Sequence, residues 1–130
     1  MKQFTLSKEE RLSSRKEIEL LFSEGHSLTS YPLRLVWRET PHPLPPDKPI
    51  QVMFSVSKKK FSKAVDRNRI KRLMKENYRL KKPGVYSSLP AGKSYHLAWI
   101  YSSDELLDFI IIQKGITTAL ERWMKKCQQL

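Results

Sequence analysis

Residues 57–82 read SKKKFSKAVDRNRIKRLMKENYRLKK, and the rest of the chain is organised around this segment. Between Lys58 and Lys82 there are twelve Lys or Arg side chains but only two acids, Asp66 and Glu76. The segment therefore carries a net charge of +10, out of +12 for all 130 residues, and the remainder of the chain is nearly neutral. Clustered positive charge of this kind indicates a surface that binds a polyanion, most often nucleic acid.

Helical periodicity divides this basic segment into two faces. At about 100° per residue, the spacing of apolar side chains predicts a helix over residues 64–80. Its core-facing side would be formed by Ile70, Leu73, Met74, Asn77 and Leu80. Lys and Arg fall on the opposite side, where their mutual repulsion costs stability, and this favours a functional reason for the charge.

Two further helices are predicted on either side of the basic one. A capping box formed by Ser14 and Glu17 predicts a helix over residues 15–24, which Gly25 would end in a left-handed conformation. A second capping box at residues 102–105 predicts a final helix that runs to about residue 126. The apolar stripe of this final helix consists of Phe109, Ile112, Ile116, Leu120, Trp123 and Cys127.

Alternating apolar residues predict strands over residues 33–37, 50–56 and 95–101, and a short extra strand is expected around residues 57–60. Five prolines between residues 41 and 49 predict that residues 39–49 form a protruding loop between two strands. Residues 81–93 are expected to form another loop, and residues 1–12 a mobile lead-in.

These elements predict one RNA-binding domain that spans residues 1–130. Its fold class is α+β, a two-layer α/β sandwich in which helices pack on a small mixed sheet. The order of elements is αβββαβα or αββαβα, depending on whether the extra strand forms.

Composition excludes several classes of protein. The single cysteine, Cys127, excludes an intrachain disulfide and a zinc site built from cysteines. The longest apolar run, residues 109–112, is far shorter than the roughly 20 residues of a membrane span. The N-terminus lacks the apolar core of a signal peptide. We therefore expect a soluble cytoplasmic protein with no membrane partner and no obligate protein partner.

No catalytic or metal site is predicted within the chain. His26, His42 and His96 lie in three different predicted elements without metal-binding spacing, so a surface or structural role is favoured for each. The thirteen acids are scattered and the four glycines are isolated, which excludes a recognisable metal cluster or phosphate-binding loop.

Nucleic-acid binding is the chemistry that the residues favour. Arginine presents a planar fork to phosphate, lysine acts as a point charge, and an asparagine amide can bind a base edge or a 2′-hydroxyl. The candidate RNA-binding residues are Lys58, Lys59, Lys60, Lys63, Arg67, Asn68, Arg69, Lys71, Arg72, Lys75 and Arg79.

Two adjoining motifs carry a resemblance to a known family. Residues 55–59 read SVSKK and residues 63–72 read KAVDRNRIKR, and together they resemble the bacterial ribonuclease P protein subunit. The order of elements over residues 11–126 is also similar. The resemblance implies a ribosomal protein S5 domain 2-like fold, in which the crossover between parallel strands is left-handed.

The resemblance also implies a function in tRNA processing. Members of the family bind a catalytic RNA that performs the hydrolysis with bound Mg²⁺, and the ribonucleoprotein removes the 5′ leader from precursor tRNA. The protein's partners are therefore the catalytic RNA and precursor tRNA, and its RNR segment contacts the RNA subunit. A cleft between the first helix and the sheet receives the leader, and its expected residues are Ile18, Phe22, Val36 and Ser55.

Other classes of function stay open at this point. A ribosomal-type structural protein or a nucleic-acid chaperone could use the same basic helix. A DNA-binding regulator is disfavoured because no second helix lies a short turn before the basic one. A protein-only nuclease would cleave with magnesium and no RNA. Sequencing the RNA that copurifies with the chain would discriminate between these classes.

Overall fold

The computed structural model describes residues 6–128, with side chains over residues 6–127. A single turn of 3-10 helix at Lys8–Glu10 comes before the first α-helix. The elements that follow are α1 (Arg15–Glu24), β1 (His26–Ser30), β2 (Leu33–Glu39), β3 (Ile50–Val56), α2 (Ala64–Ser88), β4 (Tyr95–Tyr101) and α3 (Phe109–Gln128). The order is therefore αβββαβα, which confirms the first of the two predicted orders.

The four strands form one mixed sheet in the order β1-β2-β4-β3. β2 pairs antiparallel with both β1 and β4, whereas β3 pairs parallel with β4. The parallel pair requires a crossover connection, and α2 supplies it between β3 and β4. The left-handedness of this crossover stays a prediction.

The additional strand is β1, and the expectation of a strand at residues 57–60 was wrong. Those residues form a turn in which the Phe61 N–H donates to the Ser57 carbonyl at 3.0 Å and the Lys59 N–H to the Ser57 hydroxyl at 3.1 Å. β1 has the sequence HSLTS, in which Leu28 is the only apolar residue. Its strand character comes from pairing with β2 and not from an alternating pattern.

The helices cover both faces of the sheet. α2 and α3 pack on one face, where the buried core includes Leu35, Trp99, Met74 and Trp123. α1 packs on the opposite face, in a smaller cluster that joins its Leu21 to Leu12, Val36 and Ala98. Strand alternation separates the two clusters, because neighbouring residues of one strand face opposite sides.

Residues 6–12 of the N-terminal segment pack against the body of the protein, and the mobility of residues 1–12 stays a prediction. Glu10 is buried, and its carboxylate lies 2.9 Å from the Lys82 Nζ. Leu12 is also buried, and its N–H donates to the Val52 carbonyl at 3.0 Å. These partners are 72 and 40 positions away in sequence, so no local pattern could reveal them. Residues 1–5 lie outside the described residues.

α2 continues past its predicted end at residue 80 and through Pro83, so the predicted loop at 81–93 was wrong over residues 81–88. The buried side of the helix runs through Ile70, Met74, Tyr78 and Val85. Leu80, which was predicted to face the core, is 45% exposed. Proline lacks the N–H of a helical hydrogen bond, which costs free energy within a helix. Burial of Val85 and the ion pair of Lys82 with Glu10 offset that cost.

α3 begins later than predicted, because residues 102–105 form a turn and not a helix cap. The Ser103 hydroxyl accepts from the Glu105 N–H at 3.1 Å within that turn. The helix starts instead at Phe109, where the Asp108 carboxylate accepts from the Ile111 N–H at 3.1 Å. The predicted apolar stripe is otherwise confirmed, since Ile112, Ile116, Leu120, Trp123 and Cys127 are all buried.

The predicted cap of α1 is half formed. The Ser14 hydroxyl accepts from the Glu17 N–H at 3.3 Å, but the Glu17 carboxylate contacts the sheet instead of returning to Ser14. Gly25 ends the helix as predicted, yet its φ of −77° is not left-handed. Glycine is required here because a Cβ would lie only 2.8 Å from the Trp37 carbonyl oxygen.

This close approach predicts different effects for alanine at two glycines. Gly25→Ala should lower the free energy of unfolding by about 1–3 kcal/mol, since the new methyl group forces β2 and α1 apart. Gly84→Ala is the matched control, because nothing lies within 4 Å of a Cβ there and the residue is helical. It should be neutral or stabilising by up to about 1 kcal/mol. Urea denaturation measures both changes, and equal destabilisation would contradict this assignment.

The proline-rich loop occupies residues 40–49, since Glu39 still belongs to β2. Ser94 holds it against the start of β4: the Thr40 N–H donates to the Ser94 carbonyl at 2.8 Å, and the Leu44 N–H donates to the Ser94 hydroxyl at 2.8 Å. These two hydrogen bonds help to tie the loop to the body of the protein.

Candidate nucleic-acid interface

The solvent-facing side of α2 forms a shallow cationic groove of about 500 Å³. Helical spacing places its side chains on neighbouring turns, since residues three and four apart share a face. Lining residues are Asn68, Lys71, Arg72, Lys75, Glu76 and Arg79. Five of these six were predicted as RNA-binding residues, and the sixth is a carboxylate that lies 3.9 Å from the Arg79 guanidinium.

The turn before α2 contributes lysines to the same end of the molecule. Lys58, Lys59, Lys60 and Lys63 are all exposed, although the Lys60 Nζ also donates to the Ser102 carbonyl at 2.7 Å. Arg69 is exposed as well and makes no hydrogen bond or ion pair to any other residue that the structure describes. Apart from Lys60, these side chains can therefore bind phosphate without first breaking a hydrogen bond or ion pair to a described residue.

Arg67 differs from the other predicted RNA-binding residues. One of its terminal nitrogens donates to the Phe61 carbonyl at 2.8 Å and to the Ser62 carbonyl at 2.9 Å. Arg67 is half-buried, and these bonds fix the lysine-bearing turn against the first turn of α2. The other two nitrogens of its guanidinium make no bond to a described residue, so phosphate binding by Arg67 stays a prediction.

On the opposite face of the sheet, the four predicted cleft residues lie on the side that α1 covers, but they differ in exposure. Phe22 is 45% exposed on α1, and Ile18 is half-buried beside it. Ser55 on β3 is also half-buried. Val36 is only 3% exposed, because α1 packs directly over it, so it supports the helix and does not line an accessible cleft.

An exposed strip of sheet lies next to α1. The register across three strands aligns Arg34, Ile100 and Ser55 in one row, with Arg34 exposed and the other two half-buried. Arg34 was missed from the sequence, although strand alternation already placed it on the same face as Val36. It adds a cation to the face that carries the Phe22 ring.

A polar cluster anchors α1 to this face. Arg38 on β2 lies 3.5 Å from the Glu17 carboxylate and 3.6 Å from that of Glu24. The His96 Nδ1 is 3.7 Å from Glu17, and its Nε2 is 3.1 Å from the Gln51 amide oxygen. Burial lowers the pKa of His96, and nearby Arg38 lowers it further against the opposing effect of Glu17. Arg38 and His96 therefore lie directly beneath the helix that carries Phe22.

The described residues include no group of three or more His, Cys, Asp or Glu side chains that could hold a metal ion. Residues 6–128 likewise contain no helix that is both long and apolar enough to cross a membrane.

Comparison with known proteins shows the family to which the chain belongs. The family model for Ribonuclease P matches residues 6–126. The chain belongs to the ribonuclease P protein family. The ribonuclease P protein component of Porphyromonas gingivalis is 40% identical over 121 residues, which cover 92% of this chain and 86% of that protein. The component from Chlorobaculum tepidum is 42% identical over 67% of this chain and 60% of that protein.

Solved structures of ribonuclease P proteins share the fold. The protein from Thermotoga maritima is 25% identical, with a TM-score of 0.66 over 87% of this chain and 96% of that one. The Staphylococcus aureus protein is 21% identical, with a TM-score of 0.62 over 88% of this chain and 94% of that one. These similarities confirm the predicted α+β fold class of this chain.

Proposed function

We propose that this chain is the protein subunit of ribonuclease P, binds the catalytic RNA and the 5′ leader of precursor tRNA, and so aids endonucleolytic removal of the leader in the cytoplasm. The observation that carries the proposal is the basic face of α2, where the family's RNRxKR motif, residues 67–72, lies among exposed cations. Membership of the ribonuclease P protein family supports the identity of the RNA partner.

The protein's contribution in this proposal is electrostatic. The exposed Lys and Arg side chains of α2 neutralise phosphates of the catalytic RNA, releasing counterions and strengthening binding. The exposed ring of Phe22 can stack on an unpaired base of the leader. Arg34, exposed on the same face of the sheet, supplies a cation that can attract the leader's backbone. In this proposal the catalytic groups belong to the RNA subunit. That RNA and the substrate would together hold the Mg²⁺ that stabilises charge during hydrolysis.

Cleavage at limiting magnesium tests the proposal. With precursor tRNA and the cognate catalytic RNA, adding the protein should restore cleavage at a magnesium concentration where the RNA alone is inactive. The physical reason is that bound cationic side chains replace part of the screening that the metal ions provide. Cleavage that is indifferent to the protein would contradict the proposal, and cleavage by the protein without RNA would favour a protein-only nuclease.

The RNA that copurifies with the chain provides a second test. One structured RNA of the ribonuclease P type is expected. Ribosomal RNA would favour a ribosomal-type structural role instead, and a mixture of unrelated RNAs would favour a nucleic-acid chaperone.

A further inference from the structure

The free edge of the sheet lies between the two proposed RNA surfaces. β3 is an edge strand, paired on one side with β4. On its other side, Arg11 forms a single parallel bridge to Val52. Phe54 lies two residues further along and directs its backbone to the same side, where no described residue pairs with it. The backbone N–H of Phe54 is therefore available to a hydrogen-bond acceptor.

A groove of about 250 Å³ runs along this edge, between the N-terminal segment and α2. Arg11 lies on one side of it, and Lys71 and Lys75, one helical turn apart, lie on the other. The remaining described lining residues are all apolar, so the groove holds three cations and no acid. Convergent positive charge without a counterion costs free energy in the unbound protein, and a bound anion would relieve that cost.

The position of Arg11 is fixed by the residue before it. The Glu10 carboxylate accepts from the Tyr86 hydroxyl at 2.5 Å and from the Ser7 hydroxyl at 3.0 Å, and it is ion-paired with Lys82. Both Glu10 and Lys82 are buried. The Arg11 side chain itself makes only a 3.4 Å bond to the Leu6 carbonyl, so its guanidinium is held near the groove but remains accessible.

The groove also connects the two faces of the sheet. Phe54 faces α2, where its ring meets Tyr78 edge-on at 6.0 Å, whereas Met53 packs against the cluster beneath α1. Both residues line the groove. A strand bound here would therefore pass from the face that carries Phe22 to the face that carries the α2 cations. The groove is smaller than a typical pocket for a drug-sized ligand, which suits one nucleotide's backbone and not a helix.

We propose that Arg11, Lys71 and Lys75 bind the phosphate backbone of the single-stranded 5′ leader where it crosses the edge of β3. This inference rests on the proposed function and adds a second contact region for the same substrate. The cations neutralise a phosphate, and the Phe54 N–H donates to one of its oxygens. Arg11 is therefore a leader-binding residue that lies outside both the RNR segment and the α1 face.

Arg11→Ala in the holoenzyme reconstituted with the cognate catalytic RNA tests this inference. A single phosphate contact to a single strand contributes about 0.7 to the slope of log K against log salt. The dissociation constant for precursor tRNA with a long leader should therefore rise about fivefold at 0.1 M salt, with the salt slope reduced by about 0.7. Binding of mature tRNA without a leader, and of the catalytic RNA itself, should be unchanged.

Two further variants make the result specific. Lys125→Ala removes the same charge from an exposed position on α3 that does not line the groove, and it should leave leader affinity unchanged. Arg11→Lys keeps the charge and should retain most of the affinity. Equal losses for substrates with and without a leader, or equal effects of Arg11→Ala and Lys125→Ala, would overturn the inference. If the wild-type holoenzyme itself does not distinguish the two substrates, the proposed leader binding fails as a whole.

Discussion

The triple variant Arg69→Ala, Arg72→Ala and Lys75→Ala is expected to bind the catalytic RNA about 100- to 500-fold more weakly than the wild type at 0.1 M salt. Each phosphate contact contributes roughly 0.7 to 0.9 to the slope of log K against log salt, so three contacts are worth about two to three decades at this concentration relative to 1 M. All three side chains are exposed on α2, so the variant should fold normally.

A salt titration measures this prediction directly. The slope of log K against log salt should fall by about two to three, and the affinities of variant and wild type should converge near 1 M salt. The matched control replaces Lys16, Lys114 and Lys125 with alanine, which removes the same net charge from exposed sites on α1 and α3. If the control loses as much affinity, net charge and not the α2 face determines binding, and the proposed interface is wrong.

The triple variant leaves Arg67 unchanged. Because its side chain bonds two carbonyl groups of the preceding turn, Arg67→Ala would alter the placement of several lysines as well as remove a charge. Its effect on affinity would mix the two causes, whereas Arg69, Arg72 and Lys75 report on phosphate contacts alone.

Lys82→Ala should lower the free energy of unfolding by about 3–5 kcal/mol, the largest stability effect expected of a single charged residue here. Its Nζ lies 2.9 Å from the Glu10 carboxylate, and both side chains are only 4% exposed. Removing the lysine leaves a buried carboxylate without its counter-charge. Urea denaturation at pH 7 measures the loss. A loss below about 1 kcal/mol would show that Glu10 does not depend on this ion pair.

Controls on either side of Lys82 separate burial from charge. Lys81→Ala removes an exposed neighbour and should change the free energy of unfolding by less than about 0.5 kcal/mol. The double variant Glu10→Met with Lys82→Met should be much less destabilised than the sum of its single variants, since an apolar pair replaces a buried ion pair at little cost.

The same cluster predicts how stability depends on pH. Burial opposes ionisation of Glu10, but hydrogen bonds from Tyr86, Ser7 and Lys82 outweigh it and hold the pKa of Glu10 below its ordinary value. A carboxyl group whose pKa is lowered by folding stabilises the folded state at neutral pH and loses that contribution as the pH falls through its folded pKa. Glu10→Gln should therefore be less stable than the wild type at pH 7, with a difference that shrinks in acid.

Local patterns predicted several parts of the fold closely. The bounds of α1 and β4, and the extent of β3, follow from short-range signals: a capping serine, alternation of apolar residues, and a glycine or turn at each end. The charge of α2 and its apolar face were also readable, because a helix fixes which residues three and four apart share a side. Only the phase at Leu80 failed, and there Tyr78 takes the buried position.

Burial and side-chain contacts at the predicted site depend on packing that local patterns do not show. Val36 looked like a cleft residue on the sheet, but α1 covers it. Arg67 was predicted to bind phosphate, and one nitrogen of its guanidinium also bonds the turn before α2. Arg11 and Arg34 carried no signal beyond their charge, because their significance depends on the edge of β3 and on the row across the sheet that aligns Arg34 with Ser55.

By itself, the sequence determined that this protein presents one strongly cationic helix on an otherwise nearly neutral α+β scaffold, and the RNR motif on that helix indicated its family. Charge and short-range periodicity depend on residues that are close together in the chain, so they can be determined from the sequence alone. Only the tertiary structure decided how far α2 runs past Pro83, that Glu10 holds the N-terminal segment against it, and that Arg11 thereby reaches the groove at the edge of β3. These features depend on pairs of residues 40 to 72 positions apart, whose burial and contacts exist only once the sheet and helices have assembled.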